Sequence, residues 1–237
     1  MAADFEKQSY WHSRFTSETA FEWLVPSTAF IPFIEPYLNP LVSDPYLNPP
    51  SSSSSHSPEH SLSKRRRILH LGSGTSDLHI RLREKGYTDV TNVDYEPLAL
   101  DRGREMEEWA FGDVIMKYVV ADVTAPFRLL TTQDLPIHDG LNEYEGEGFD
   151  IVLDKSTADA VACACDEAVL AMARWVRAGL RDRDGAVWIS LSYSAVRFAV
   201  EDLPFEVRVI GKIATPKERG TDPDVFIWCY LLRPRVG

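Results

Sequence analysis

Apolar residues in this chain occur in short runs that alternate with helical patterns from about residue 64 onward. A short apolar run is typical of a strand buried on both faces, whereas apolar residues three and four apart indicate an amphipathic helix. An alternation of the two is typical of a parallel sheet covered by helices. The runs predict strands at about residues 67–72, 89–94, 116–121, 149–154 and 185–192. The helical patterns predict helices at about residues 76–86, 97–110 and 166–180.

The first 64 residues have a different composition. Residues 4–35 are rich in aromatic side chains and predict a helix, whereas residues 36–64 are dominated by Pro, Ser and Asn. The second segment offers too little apolar surface to offset its conformational entropy, so we expect a flexible loop. We expect residues 1–237 to form a single domain whose Rossmann-like core covers residues 65–237.

A pair of glycines follows the first predicted strand. Gly72, Ser73 and Gly74 form a turn in which the backbone can bend sharply and a ligand can approach without meeting a Cβ atom. The second strand ends twenty residues after Gly74 in Asp94, a carboxylate placed to accept hydrogen bonds from ribose hydroxyls. Asp77 stands where a dinucleotide fingerprint has its third glycine, which disfavours NAD. The turn therefore favours an adenosine ligand without phosphate, S-adenosylmethionine.

Two further positions extend the predicted cofactor site. Asp122 ends the third strand, where it could accept a hydrogen bond from the adenine amino group, and Val123 follows it. Tyr95, directly after Asp94, completes the predicted set. The alternative for each aspartate is that it caps the helix or turn that follows. We interpret His70 as a packed, hydrogen-bonded core residue and His79 as a solvent-facing helix residue.

The last third of the chain predicts a different kind of connection. Apolar runs that begin at Phe205 and Phe226 are separated by a charged loop of about residues 212–224 without a helical pattern. Two strands joined without a helix are expected to be antiparallel. We therefore predict an α/β fold, doubly wound, with a mostly parallel seven-stranded sheet and an antiparallel C-terminal hairpin. That ending is typical of class I S-adenosylmethionine-dependent methyltransferases and is absent from NAD-binding Rossmann domains.

The charge and composition of the chain exclude some classes of binding partner. A formal net charge of −11 and a pI near 5.0 argue against a general nucleic-acid binder. The N-terminus is polar, and no apolar run is long enough for a membrane span, so we expect a cytoplasmic protein without a membrane partner. The Lys64-Arg-Arg-Arg run leaves a nuclear address open. The spacing of His and Cys residues favours no metal site, and the three cysteines form no disulfide framework.

Three segments resemble the methyltransferase-like family that includes the eukaryotic elongation factor 1-alpha lysine methyltransferases. Tyr10-Trp-His-Ser-Arg-Phe, followed by Phe21-Glu-Trp-Leu, is similar to the N-terminal signature of that family. Gly72-Ser-Gly-Thr-Ser-Asp-Leu resembles its Gly-Cys-Gly-Asn-Ser turn. Phe149-Asp-Ile-Val-Leu-Asp-Lys-Ser-Thr-Ala-Asp-Ala resembles its Phe-Asp-x-Val-x-Asp-Lys-Gly-Thr-Leu-Asp-Ala segment.

The resemblance implies S-adenosylmethionine as cofactor and a protein lysine, or an α-amino terminus, as methyl acceptor, with elongation factor 1-alpha as a candidate substrate. It also implies that the N-terminal segment, residues 1–35, closes over the cofactor. Trp11, Arg14 and Phe15 would line the methionine end, and Arg14 would pair with the cofactor carboxylate. The alternative for the aromatic residues is packing of a terminal helix on the sheet.

The resemblance also has departures that affect the acceptor. Ser156 and Ala158 stand where the family has Gly and Leu, so the acceptor channel is expected to differ. Asp154, at the end of the fourth strand, is our candidate to bind cofactor, orient an incoming ammonium and help remove its proton. Its alternative role is to cap the turn that follows. Tyr193 is a candidate wall of the acceptor channel. A small-molecule methyltransferase, or a non-catalytic module that binds S-adenosylmethionine, remains an alternative function.

Overall fold

The computed structural model describes residues 4–38, 66–126, 148–181, 185–217 and 219–235. The helices are α1 (Gln8–Ser17), α2 (Ser27–Leu38), α3 (Leu78–Glu84), α4 (Pro97–Phe111), α5 (Thr157–Val161) and α6 (Asp166–Gly179). The strands are β1 (Ile68–Leu71), β2 (Val90–Asp94), β3 (Lys117–Val120), β4 (Ile151–Lys155), β5 (Val187–Ser192), β6 (Phe205–Ala214) and β7 (Phe226–Pro234).

All seven strands form one sheet in the order β3-β2-β1-β4-β5-β7-β6. The first five strands of that order are parallel, and β7 is antiparallel to both β5 and β6. Every residue of β1, β2, β4 and β5 is buried, which explains why their sequences do not alternate strictly between apolar and polar residues. The predicted α/β fold with an antiparallel C-terminal hairpin is confirmed.

Each face of the sheet carries its own hydrophobic layer. Helix α6 packs on one face through Val169, Met172 and Val176, and its apolar residues recur three and four positions apart. On this face the fully buried Trp188 meets Phe198 and Phe205 edge-on, with ring centroids 5.0 and 5.6 Å apart. Helices α2 and α3 cover the opposite face.

The N-terminal region differs from its prediction because it contains two helices. Phe21, Trp23 and Leu24 lie in the connection between α1 and α2, not near the end of a single helix. Helix α2 was not predicted because it contains Pro32 and Pro36, and proline usually interrupts helices. The helix is nevertheless packed against the sheet, where the side chains of Phe30, Ile34 and Leu38 are fully buried. Residues 36–38 of the predicted loop therefore belong to α2, and the rest of that prediction, residues 39–64, lies outside the described residues.

One short helix was not predicted, and one local prediction was wrong. No helical pattern indicated the five-residue helix α5, which follows β4 after a tight turn at Ser156. His79 is buried rather than solvent-facing, and its Nε2 atom lies 3.1 Å from the carbonyl oxygen of Gly103 on α4. His70 is fully buried, as predicted.

Candidate functional site

A cavity of about 240 Å³ opens at the carboxyl ends of the parallel strands, beside the turn after β1. Gly72 and Gly74 in this turn have φ angles of +53° and +50°, which glycine adopts without strain. A Cβ atom on Gly72 would collide with the side chain of Thr157, whose hydroxyl donates a hydrogen bond to Leu71 O at 2.9 Å. A Cβ atom on Gly74 would lie 3.7 Å from the ring of Phe15, in the space between the turn and the N-terminal segment.

Asp94 lines the cavity at the end of β2. Its Oδ2 accepts the backbone N–H of Gly74 and its Oδ1 that of Glu96, each at 2.9 Å. Burial raises the pKa of Asp94 to about 6, against the lowering effect of these two donors. Since a carboxylate oxygen can accept more than one hydrogen bond, both oxygens keep capacity for ligand hydroxyls.

Three more of the predicted cofactor residues line the same cavity, namely Tyr95, Asp122 and Val123. The Oδ1 atom of Asp122 accepts hydrogen bonds from the backbone N–H and the hydroxyl of Thr124, at 2.8 and 2.6 Å. Asp122 therefore caps the turn after β3 and also lines the cavity. A capping role and a role in cofactor binding are thus compatible for this aspartate.

The polar groups of the cavity follow the order of the strands. Asp122 lies after β3, Asp94 ends β2, the glycine turn follows β1 and Lys155 ends β4. Adjacent strands are about 4.8 Å apart, so four neighbouring strand ends span about 14 Å. The site can therefore contact an elongated ligand at several points along its length.

Five aromatic side chains of the N-terminal segment cover this cavity, and we call them the aromatic roof. They pack on one another, and the Trp11 ring lies 5.5 Å from the Phe15 ring and 5.4 Å from the Trp23 ring. The roof consists of Phe5, Trp11, Phe15, Phe21 and Trp23. The structure thus brings Trp11 and Phe15 to the cavity, and adds Trp23, for which the sequence suggested no role.

Arg14 is placed differently from the prediction, because its side chain does not line the described cavity. Its guanidinium lies 2.6 Å from the Glu18 carboxylate, donates to the Tyr10 hydroxyl at 2.8 Å and lies 4.5 Å from the centre of the Trp23 ring. These contacts place Arg14 behind the aromatic roof, where it supports Trp23.

Asp154 lies in a different place from the one predicted for it. The residue is fully buried and lies outside the cavity wall. Its oxygens accept the backbone N–H of Thr157 at 2.7 Å, that of Ala158 at 3.3 Å and the Ser190 hydroxyl at 2.7 Å. Burial raises the pKa of Asp154 to about 6. The geometry matches the alternative role, in which Asp154 caps the first turn of α5, and it presents no carboxylate to a substrate amine.

Two residues without a predicted role in the site connect the aromatic roof to the sheet. The Glu22 carboxylate accepts the backbone N–H of Asp77 at 2.7 Å and pairs with Lys155 Nζ at 2.8 Å. Lys155 also donates to the carbonyl oxygen of Trp23 at 2.8 Å, and burial lowers its pKa. We call Glu22 and Lys155 the clasp. No local pattern could identify it, although both residues lie in the segments that carry the family resemblance.

Another part of the cavity wall is formed by α5, α6 and the connection between them. It is apolar, and its residues are Ala160, Val161, Ala164 and Ala168. Glu6 contributes a carboxylate from the N-terminal segment. Tyr193, the predicted channel wall, lies outside the cavity and is 58% exposed; its backbone N–H donates to Asp159 at 2.8 Å. Among the described residues, no group of three or more His, Cys, Asp or Glu side chains could hold a metal ion.

Comparison with known proteins agrees with the sheet order and with the resemblance. The fold is that of class I methyltransferases: the structure matches magnesium protoporphyrin IX methyltransferase from Synechocystis with a TM-score of 0.53 over 98% of both chains, at 13% identity. The chain is 50% identical over 232 residues to a Neurospora crassa protein named methyltransferase srdJ, covering 98% of this chain and 85% of that protein. The chain belongs to the same methyltransferase family.

A more distant relative carries a more specific name. The eEF1A lysine and N-terminal methyltransferase homolog of Drosophila melanogaster is 28% identical over 160 residues, which is 67% of this chain and 18% of that protein. No family model matches the chain. Within the described part of the chain, no helix combines the length and apolarity that crossing a membrane requires.

Proposed function

We propose that the protein transfers the methyl group of S-adenosylmethionine to an acceptor nitrogen of a protein lysine. The observation that carries the cofactor assignment is the run of complementary groups along one cavity: a turn without Cβ atoms, Asp94 for the ribose and Asp122 for the adenine amino group. These residues fit the cofactor, which supplies a methyl group on a positively charged sulfur and carries no phosphate.

The protein's contribution to such a transfer is mainly positioning. Because the sulfonium is already a good leaving group, the enzyme has to hold the acceptor in line with the methyl group and exclude water. The aromatic roof provides ring faces that stabilise a cation, and its packing on the glycine turn closes the cavity from one side. Asp94 and the glycine turn then fix the cofactor relative to the roof.

The acceptor proposal rests on the lysine methyltransferase signatures and on the name of the Drosophila relative, and elongation factor 1-alpha is the candidate substrate. A lysine approaches as an ammonium, since its ordinary pKa is about 10.4, and it has to release one proton to water before its nitrogen lone pair can displace S-adenosylhomocysteine from the methyl group. The Glu6 carboxylate at the cavity wall can pair with that ammonium. With such a substrate, we expect the enzyme to act in the cytoplasm.

The second candidate is a small-molecule acceptor. It is favoured by the apolar wall of α5 and α6, which together with the aromatic roof offers a compact hydrophobic space for an aromatic or aliphatic compound. Both candidates use the same cofactor site, and they differ in the mass of the product.

Incubation of the purified protein with tritiated S-adenosylmethionine and a fungal cell extract tests these functions together. Label in a protein band supports the lysine proposal, and label in the low-mass fraction supports the second candidate. Transfer should disappear in the Asp94→Ala variant and persist in a variant of the exposed α4 surface, Asp101→Ala. Absence of label in both fractions would favour a non-catalytic module and overturn the proposed enzyme.

A further inference from the structure

His70 is a buried residue of β1 that also lines the cavity. Its Nδ1 atom lies 3.0 Å from Oδ1 of Asn92, the residue paired with it on β2. The orientation of the Asn92 amide is fixed by a second hydrogen bond, in which its Nδ2 group donates to the carbonyl oxygen of Lys117 at 3.4 Å. Because an amide oxygen can only accept, His70 carries its proton on Nδ1, and its Nε2 atom presents a lone pair.

The Nε2 atom of His70 is buried and has no hydrogen-bond partner among the described residues. A buried acceptor without a partner is unfavourable, so such an atom beside a cavity indicates a donor supplied by a ligand. Burial lowers the pKa of His70 to about 3, which keeps the ring neutral and the lone pair available at physiological pH.

The position of His70 along the sheet indicates which part of the cofactor it faces. With adenine at Asp122 on β3 and ribose at Asp94 on β2, the next parts of the molecule lie over β1 and β4. These parts are the sulfonium and the amino-acid head. In the head, the ammonium is the group that donates hydrogen bonds, since the carboxylate only accepts.

We propose that Nε2 of His70 accepts a hydrogen bond from the α-ammonium of S-adenosylmethionine, an inference that rests on the proposed function. Lys155, the nearest cation at the end of β4, is compatible with this arrangement because its charge is paired with Glu22 at 2.8 Å. His79, the other charge-bearing neighbour of His70, is buried, and burial lowers its pKa, so it does not repel an ammonium at neutral pH.

Calorimetric binding of three probes to the full chain tests the contact. S-adenosylhomocysteine carries the complete amino-acid head, its desamino analogue keeps the carboxylate and lacks the amine, and 5′-methylthioadenosine lacks the head. A hydrogen bond to a charged group corresponds to about tenfold or more in affinity. The protein should therefore bind S-adenosylhomocysteine about tenfold or more tightly than the desamino analogue.

The His70→Asn variant separates this contact from the fold. Its amide can replace the Nδ1 donor toward Asn92 while it removes the Nε2 acceptor. The variant should lose about tenfold in affinity for S-adenosylhomocysteine and bind the desamino analogue as the original protein does. The control is His79→Gln, which changes another buried histidine that does not line the cavity and should leave all three affinities unchanged.

Three results would overturn the inference. The first is equal affinity of the original protein for S-adenosylhomocysteine and the desamino analogue, which needs no variant and therefore does not depend on how His70→Asn folds. The second is an equal loss for both probes in His70→Asn, which indicates a structural role. In the third, none of the three probes binds, and the cofactor assignment itself then fails together with the contact.

Discussion

The Nζ atom of Lys155 lies 2.8 Å from the carboxylate of Glu22, although one residue ends a central strand and the other belongs to the N-terminal segment. The lysine side chain is 3% exposed and the glutamate side chain 26%. A pair buried to this degree contributes through the cost of leaving either charge alone, since neither has enough water around it. The clasp thus ties the aromatic roof to β4.

We predict that Glu22→Gln and Lys155→Met each lower the free energy of unfolding by about 3 kcal/mol, because each leaves one buried charge unpaired. The double variant should lose less than the sum of the two, since it leaves no charge behind. Urea unfolding of the four proteins measures both quantities. Additive losses would mean that the two residues act independently.

The surface pair formed by Arg102 and Glu105 is a suitable control for the clasp. Its atoms are as close, at 2.7 Å, but its side chains are 32% and 62% exposed. Removing either partner should change the free energy of unfolding by less than about 1 kcal/mol. If the free energy of unfolding fell by a similar amount at both pairs, burial would not be the reason that the clasp stabilises the protein.

Removal of the Asp94 carboxylate is predicted to abolish cofactor binding. At a ligand concentration of 100 times Kd, binding stabilises a protein by about 2.7 kcal/mol, so S-adenosylhomocysteine should raise the Tm of the original protein. The Asp94→Ala variant should lose most of that rise, because the acceptor for the ribose is gone. Thermal unfolding with and without ligand makes the comparison within each protein. A full rise in the variant would exclude Asp94 from the site.

Asp154 should make stability depend on pH in an unusual direction. Its pKa is raised to about 6 in the folded protein, so between pH 4 and 6 the folded state holds a proton that the unfolded state has released. This contribution is complete at low pH and is lost as pH rises through 6. A shift of two units corresponds to about 3 kcal/mol.

The Asp154→Asn variant lacks this ionisation. The free energy of unfolding of the original protein minus that of the variant should therefore fall by up to about 3 kcal/mol between pH 4 and pH 7. Denaturant unfolding at several pH values measures the difference, in which the other carboxyl groups largely cancel. A difference that rises with pH would mean that the folded state favours ionised Asp154.

Ser156 is a position where glycine should stabilise the protein. Its φ angle is +77°, a left-handed conformation that strains residues with a Cβ atom. Ser156→Gly should raise the free energy of unfolding by about 1 kcal/mol, because the lost contact to Asp159 is long, at 3.5 Å. The control Ser13→Gly, in the exposed face of α1, should lower it by about 0.5 kcal/mol. Destabilisation by both changes would contradict a strained Ser156.

Much of the fold was predictable because it is encoded locally. The buried strands β1, β4 and β5 each begin with a run of apolar residues, and the missing helical pattern between β6 and β7 indicated the antiparallel hairpin. The glycine turn and Asp94 were predictable for a similar reason, since the required φ angles and the carboxylate at a strand end both leave a sequence pattern.

The features that could not be predicted depend on which residues, distant in the sequence, come into contact in the fold. Arg14 was expected at the cofactor because a guanidinium suits a carboxylate, but Glu18 already provides one a single helical turn away. Asp154 was expected in the cavity because it ends a strand, yet α5 starts so close to it that its oxygens cap that helix. The clasp and the buried His79 likewise follow from tertiary packing, which a single sequence does not specify.

The close packing of Thr157 against Gly72 limits which amino acids can be substituted at these two positions. The side chain of one residue occupies the volume that a side chain on the other would need. Alanine at position 72 should thus be recovered from a combinatorial library mainly together with a smaller residue at position 157. Position 72 in the glycine turn and position 157 at the start of α5 are therefore expected to change together.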